Sequence, residues 1–203
     1  MIIVNDYFET ENEKISFITI EDLEIVVALH EEYLNYGEGV RSHYSSVLRD
    51  PDTVALKYTV SGETAGLFIY TKGVALSAGH DHLVKVLEEK SRGRKVYTGD
   101  AVLVKREYRK RGVADKLCVA MLRELKKRDS ERMVHEFWVH PDGCVPARRM
   151  FRVFEKGFYL GHFLYFYRDF HQYGYFCPIC GENCICSAEI YLADMPGGVG
   201  IEN

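Results

Sequence analysis

The sequence predicts an α/β fold in which one mixed sheet is flanked by helices. Apolar segments of strand length are interspersed with segments of helical periodicity along most of the chain. Over 95–140 the order is strand, glycine-containing turn, amphipathic helix and strand, and a helix between two strands makes those strands parallel. A length of 203 residues with 47% hydrophobic residues fits one compact domain with a buried core.

Local signals support the individual elements in chain order. The Asp50-Pro51 turn ends a helix, and Ser61-Gly62 joins two strands as a hairpin. Pro146 opens the last helix and Gly157 caps it. Strands are predicted at 15–20, 53–60, 63–70, 95–104, 132–140 and 159–170, and helices at 21–36, 40–49 and 81–90, from 112 and from 146.

The end of the chain differs from the rest in composition, because four cysteines crowd into ten residues there. A hairpin is expected around Gly181-Glu182-Asn183, with a return strand at 187–193. We therefore expect residues 1–170 to form the main domain. Residues 171–203 are expected to form a cysteine-rich β-hairpin and tail that pack on the same domain.

The charge distribution is uneven. The net charge is −4, which argues against a general nucleic-acid binder. The segment from Lys105 to Arg128, however, contains ten basic and three acidic residues, which gives it a local charge of +7. Such a segment fits either a phosphorylated cofactor or a solvated helix face.

Nothing in the sequence suggests export or membrane insertion. The longest aliphatic run, Ile25 to Leu29, is far shorter than the roughly 20 residues that span a bilayer. The first residues are acidic, unlike a signal peptide. We expect a cytoplasmic protein that binds neither membrane nor nucleic acid, with a homodimer left open.

The loop from Val102 to Ala114 carries the most informative motif. Its sequence is Arg-Lys-Arg-Gly-Val-Ala from Arg109, directly after a strand and before an amphipathic helix. A helix start offers unpaired N–H groups and the positive end of the helix dipole, so a phosphate can bind there if no side chain blocks it. Gly112 and Ala114 keep that approach open.

At these residues the chain resembles the GNAT superfamily of acetyl-CoA-dependent N-acetyltransferases, in element order over about 15–170 as well. Phe154-Glu-Lys-Gly-Phe158 also resembles the family's second signature. The resemblance implies that the loop binds the CoA pyrophosphate and that the preceding strand end pairs with the pantetheine arm. The implied cofactor-binding residues are Val102, Leu103, Val104, Arg109, Lys110, Arg111, Gly112, Val113 and Ala114.

The sequence departs from the family in its catalytic half. Many members carry a tyrosine that protonates the leaving thiolate on the last helix, where this chain has Phe154. Tyr159 and Tyr165 are substitutes by proximity only. His140, at the end of the parallel strand, is expected near the meeting point of cofactor and acceptor.

An amine must lose a proton before it can attack, so the site needs a base. Thr98, Asp100 and Val102 are predicted to alternate onto one strand face, and family members often place a base at positions like the first two. Asp100 is the predicted base, directly or through a water that Thr98 orients. The alternative is that the Asp100 carboxylate has a structural role and only accepts hydrogen bonds from loop N–H groups.

Cys177, Cys180, Cys184 and Cys186 are the candidate metal ligands. Cys177-Pro-Ile-Cys180-Gly resembles a zinc knuckle, and four thiolates would complete a tetrahedral zinc site. The short spacing between the two pairs leaves reduced thiols in a hairpin as the alternative.

The sequence thus predicts an enzyme that moves an acetyl group from acetyl-CoA to a primary amine of unknown identity. Two alternatives remain: an acyl-CoA sensor without turnover, and an interaction module built on the metal hairpin.

Overall fold

The computed structural model describes residues 10–77, 79–147 and 157–196. It contains seven strands: β1 (Glu13–Phe17), β2 (Val54–Val60), β3 (Glu63–Lys72), β4 (Val96–Val104), β5 (Arg132–Val139), β6 (Phe158–Phe163) and β7 (Ser187–Asp194). The α-helices are α1 (Leu23–Tyr33), α2 (Glu38–Val47), α3 (Asp81–Lys90) and α4 (Val113–Lys127). No helix in these ranges is both long and apolar enough to cross a bilayer.

The strands form one mixed sheet in the order β1-β2-β3-β4-β5-β7-β6. Only β4 and β5 are parallel, as the helix between them requires. Helices α1 and α2 pack on one face, with Val26, Val40 and Tyr44 buried there, whereas α4 packs on the other through Leu117 and Met121. The predicted mixed α/β architecture is confirmed.

The hairpin predicted at Ser61-Gly62 is confirmed, since both residues have a positive φ and join β2 to β3. Helix α3 has the predicted bounds. The strand predicted at 159–170, however, ends at Phe163. Tyr165 has a φ of 55°, which turns the chain away from the sheet, and Phe166 and Tyr167 are buried beneath it instead.

The cysteine-rich segment is not a self-contained hairpin. The predicted return strand exists as β7, but it pairs with β5 and β6, so it lies inside the main sheet. The cysteines occupy the connection between β6 and β7, where a single bridge joins Cys177 to Gly181. The regions 1–170 and 171–203 therefore share one sheet.

The helix predicted from Pro146 and the signature at Phe154 lie almost entirely outside the described residues. Gly157, its predicted cap, is described: a Cβ there would lie 3.2 Å from the Cα of Ala193 on β7. Glycine at this position therefore allows the chain to approach the sheet closely.

Candidate functional site

The two parallel strands separate after a short paired stretch, and the candidate site lies where they part. Pairing covers only Val96 to Thr98 with Arg132 to Val134, although β4 continues to Val104 and β5 to Val139. The remaining halves leave an opening in the sheet. A cavity of about 410 Å³ lies at this opening.

The cavity combines two carboxylates with an aromatic and sulfur-rich wall. Its carboxylates are Asp100 of β4 and Glu136 of β5, each two residues beyond the last paired residue of its strand. Other lining residues include His30, His43, Ser77, Thr98, Trp138, Tyr167, Phe170, Tyr175, Cys177 and Cys184.

Asp100 is placed by a β-bulge. Tyr70 of β3 pairs with Gly99 and Ile69 pairs with Ala101, so Asp100 has no partner on that strand. The bulge changes the alternation of side chains after it: Ala101 and Leu103 face α1 and α2, whereas Val102 packs towards α4. The predicted shared face of Thr98, Asp100 and Val102 therefore breaks at Val102.

Asp100 forms an ion pair with a histidine that the sequence analysis missed. Oδ1 of Asp100 lies 2.7 Å from Nε2 of His43 on α2. Burial raises the pKa of the Asp100 carboxyl, but the hydrogen bond and charge of His43 outweigh it and hold the pKa below its usual value. Burial conversely lowers the pKa of His43, and Asp100 raises it above the usual value. The second oxygen, Oδ2, is buried with no hydrogen-bond partner among the described residues.

The helix that carries His43 is held by a buried polar contact. The hydroxyl of Tyr44 lies 2.7 Å from Nδ1 of His30 on α1, and Nε2 of His30 lies 3.0 Å from Oδ1 of Asn35. Burial lowers the pKa of His30 and raises that of Tyr44 well above its usual value. Both groups therefore stay neutral near pH 7 and fix α1 against α2 beside the cavity.

Glu136 is the second missed residue. Its carboxylate accepts hydrogen bonds from the backbone N–H of Ser77, at 2.8 Å, and from the Ser77 hydroxyl. Burial raises the pKa of Glu136 although these hydrogen bonds oppose it. The available signal was a single acid within the apolar strand from Met133 to Val139.

Thr98 has a structural position at the edge of the cavity. Its Oγ1 donates to the carbonyl of Gly73, at 2.7 Å, and accepts from the N–H of Ala75, at 3.1 Å. The hydroxyl proton is thus used to hold the loop after β3. Thr98 can offer a water only its remaining lone pair.

Two further predicted catalytic residues do not reach the cavity. Tyr159 lies on β6 at the far edge of the sheet, half-exposed, with its ring 4.9 Å from that of Tyr191. His140 follows β5, but its ring packs 4.1 Å from Trp138 and it lies near Asp142 and Cys144. Neither lines the cavity with Asp100.

The predicted phosphate-binding loop has an open helix start. Gly112, at φ 78°, precedes α4, and a Cβ there would meet nothing within 4 Å. The N–H groups of the first helical turn, at Val113 and Ala114, are not used by the helix itself. Glycine suits both the left-handed backbone and the free approach.

The strand before this loop offers main-chain groups to the opening. The N–H of Lys105 donates to Ala65 on β3, at 2.9 Å. Because main-chain groups alternate sides along a strand, Leu103 also directs its groups to β3, whereas Val102 and Val104 direct theirs to the opening. Of the three residues that the resemblance implied, Leu103 is therefore engaged inside the sheet.

The basic segment divides into paired and unpaired residues. Lys105 pairs with Glu63, Lys116 with Glu13, and Lys127 and Arg128 with Glu124. Around the loop, by contrast, Arg109, Lys110 and Arg111 have no carboxylate partner within the described ranges. Nε of Arg109 donates to the carbonyl of Val104, at 3.0 Å, and this hydrogen bond holds the guanidinium against the loop.

The four cysteines converge at the other side of the cavity. Their sulfur atoms all lie within 4.8 Å of one another, and the thiols are free. Sγ of Cys186 is 3.9 Å from that of Cys177 and 3.7 Å from that of Cys180. Cys177 and Gly181 exchange two main-chain hydrogen bonds, of 2.8 and 3.3 Å, which close the turn that contains Cys180.

No protein-family model matches the chain, and no curated protein matches it in sequence. Solved structures do match in fold. NAA60 of Arabidopsis thaliana, in complex with a bisubstrate analogue, aligns at a TM-score of 0.62 and 14% identity over 92% of this chain and 99% of its own.

Two other solved structures agree in fold. The ribosomal-protein-S18-alanine N-acetyltransferase of Escherichia coli aligns at a TM-score of 0.59 and 16% identity, covering 94% of this chain and 99% of its own. Ard1 of Thermoplasma volcanium aligns at 0.61 and 15% identity, covering 92% and 99%. The predicted GNAT-like fold is therefore confirmed.

Proposed function

We propose that this protein is an N-acetyltransferase that moves the acetyl group of acetyl-CoA to a primary amine by direct attack in a ternary complex. The observation that carries the proposal is the His43–Asp100 pair, which lies at the opening between β4 and β5 and lines the cavity. The open start of α4 is joined to β4 by a short loop that contains the 3-10 turn Arg106–Tyr108. Reacting groups and a phosphate-binding loop thus flank one opening.

Acetyl-CoA is proposed to bind along the β4 edge. The N–H groups at Val113 and Ala114 would hold the pyrophosphate, and the unpaired cations from Arg109 to Arg111 would attract it. The main chain of Val102 and Val104 would pair with the pantetheine arm. An N–H in this edge would also polarise the thioester carbonyl.

The His43–Asp100 pair is proposed to take the proton of the amine. An alkylammonium has a pKa near 10.4, so it needs a base at neutral pH. Asp100 alone is a weak base because its pKa lies below the usual value, whereas that of His43 lies above. In neutral His43, Nε2–H donates to Asp100 and Nδ1 accepts the proton.

Acetyl transfer then forms a C–N bond and breaks a C–S bond. The acceptor ammonium first gives one proton to His43, which releases it to solvent, and the free amine nitrogen then forms a bond to the thioester carbon. The C–S bond breaks and the acetyl group stays on nitrogen. The nitrogen gives up its second proton as the neutral amide forms, and CoA leaves as the thiolate, which takes a proton. Tyr159, a predicted source of that last proton, lies at the far sheet edge, whereas Tyr167 and Tyr175 line the cavity.

The cavity favours a cationic acceptor. Asp100 and Glu136 supply negative charge, and the rings of Trp138, Tyr167 and Tyr175 can pack against an ammonium or its alkyl chain. The matched structures include an acetyltransferase named for the alanine of ribosomal protein S18. An amine acceptor for this chain agrees with both observations.

The four cysteines are proposed to hold one zinc ion with a structural role. Four thiolates fill tetrahedral coordination, which leaves no open position for water or substrate. No step of acetyl transfer is assigned to the metal.

A free-thiol assay with acetyl-CoA and a panel of amines, aminoglycosides, polyamines and peptide N-termini tests the function. The proposal expects CoA release that depends on the amine. Acetyl-CoA binding without release for any amine would indicate the sensor, and no acetyl-CoA binding would leave the interaction module.

A further inference from the structure

We infer that the zinc ion held by the four cysteines fixes the roof of the acceptor cavity, so that loss of the metal opens this roof while the cofactor side stays intact. The roof segment is the connection from β6 to β7, residues 164–186. That the cavity holds the acceptor rests on the proposed function. The metal site and its effect on the roof do not.

The sulfur geometry fits a tetrahedral metal before any metal is bound. Zinc–thiolate bonds of about 2.3 Å place the sulfur atoms of a regular tetrahedron about 3.8 Å apart. Two of the spacings, from Cys186 to Cys177 and to Cys180, are 3.9 and 3.7 Å. No disulfide competes for these sulfurs, since all four cysteines are free.

The chemistry of the ligand set favours zinc. Four thiolates are soft ligands, and a tetrahedral set of four is a structural zinc site in ordinary protein chemistry. Three of the four side chains are buried, so a bound ion would be shielded from solvent.

The roof segment has little regular structure of its own. Between Phe163 and Ser187 the structure shows one short 3-10 helix, Phe170–Tyr173, and isolated bridges. Large apolar side chains remain exposed along it, with Leu164 at 71% and Ile185 at 52% exposure. Phe166 and Tyr167 anchor the start of the segment in the core, so a metal cross-link adds most order to the part after them, which has neither α-helix nor strand.

The metal site lies directly beside the contacts that close the roof. Tyr36 lies in the loop between α1 and α2, and it exchanges two main-chain hydrogen bonds, of 2.8 and 3.1 Å, with Phe176 of the roof segment. The hydroxyl of Tyr175 donates to the carbonyl of Gly39, at 3.2 Å. The next residue is Cys177, so a metal there fixes the chain immediately after both contacts.

The metal ligands also form part of the cavity wall. Cys177 and Cys184 line the cavity, together with Tyr175 and Trp138. Trp138 packs against the buried cluster that contains Cys177, Cys184 and Cys186. Trp138 is the single tryptophan of the chain, so its fluorescence reports this wall alone.

The test compares Cys180→Ser with Cys144→Ser. Cys180 is a proposed ligand that does not line the cavity, and Cys144 is an exposed cysteine outside the cluster. Each protein is purified without chelator, and its zinc and iron are measured by elemental analysis. Hydrogen exchange of the Tyr36 and Phe176 amides, acrylamide quenching of Trp138 and calorimetry with acetyl-CoA follow.

The inference expects about one zinc per chain in the wild type and in Cys144→Ser, and well below one in Cys180→Ser. The Tyr36 and Phe176 amides should exchange at least about tenfold faster in Cys180→Ser, with stronger quenching of Trp138. Acetyl-CoA affinity should change less than about twofold.

The contrary results are distinct from failure of the proposed function. No zinc in the wild type, or iron in its place, overturns the zinc site. Zinc loss with unchanged exchange and quenching overturns the roof. A wild type that does not bind acetyl-CoA overturns the proposed function, while the metal and exchange measurements still decide the inference. If Cys180→Ser does not fold, zinc removal from the wild type with a chelator gives the same readouts.

Discussion

Nε2 of His43 on α2 lies 2.7 Å from Oδ1 of Asp100 on β4, and this contact joins a helix to the bulge at the opening of the sheet. The pair gives each partner a shifted pKa, lower for the acid and higher for the imidazole. The proposed mechanism therefore gives the two groups different roles. Asp100 would orient His43 and stabilise its protonated form, and His43 would receive the proton.

Replacement of Asp100 by asparagine should reduce turnover strongly. The amide keeps the size of the side chain but loses the charge that orients His43, so kcat should fall at least about 100-fold. Acetyl-CoA affinity, measured by calorimetry, should hardly change. Asp52→Asn, which removes an exposed carboxylate outside the cavity, is the control and should keep full turnover. An Asp100→Asn enzyme with most of its turnover would leave Asp100 a structural role only.

The pH dependence of turnover should reflect the His43–Asp100 pair. Turnover requires neutral His43, so the rate should rise with pH through an apparent pKa above 6.5, because Asp100 raises the pKa of His43. In Asp100→Asn this acid limb should move to lower pH, since the stabilising charge is gone. His43→Gln should lose the limb, and His82→Gln, on the exposed side of α3, should keep it. An unchanged limb in His43→Gln would assign the base to another group.

The sequence predicted much of the fold because its signals are local. The Ser61-Gly62 turn located the hairpin, the helix predicted at 81–90 matches α3, and a helix between β4 and β5 made them parallel. The early end of β6 was not predictable in this way. It depends on a left-handed Tyr165, and aromatic side chains carry no such local signal.

The site was predictable only in part. The loop at Gly112 was predicted from the strand–loop–helix pattern, and Asp100 from its strand position together with the resemblance to the GNAT superfamily. His43 does not, because it lies 57 residues from Asp100 and meets it only through the packing of α2 on the sheet. The bulge at Asp100 was equally hidden, and it is the reason that the predicted alternation breaks at Val102.

Replacement of Gly112 by glutamate should weaken acetyl-CoA binding. The new side chain would enter the open space before α4 and repel the pyrophosphate, so affinity should fall at least tenfold, or about 1.4 kcal/mol. Gly93→Glu is a close control, because Gly93 has a φ of 76° and equally open surroundings but lies outside the loop. Calorimetry that shows equal affinity in both variants would place the cofactor elsewhere.

Replacement of Glu136 by glutamine should affect the acceptor more than the cofactor. The amide keeps the shape and can hydrogen-bond to Ser77, but it removes the negative charge beside the amine. The KM for a cationic amine should rise about tenfold with a small change in kcat. Glu88→Gln on α3 should behave like the wild type. A loss confined to kcat would instead make Glu136 part of the proton path.

The most direct test is the structure of the complex with acetyl-CoA. The account predicts the cofactor between β4 and β5, with its pyrophosphate on the N–H groups at Val113 and Ala114 and its thioester at the cavity beside Asp100. Acetyl-CoA bound away from this opening, or bound with its thioester turned from the His43–Asp100 pair, would contradict it.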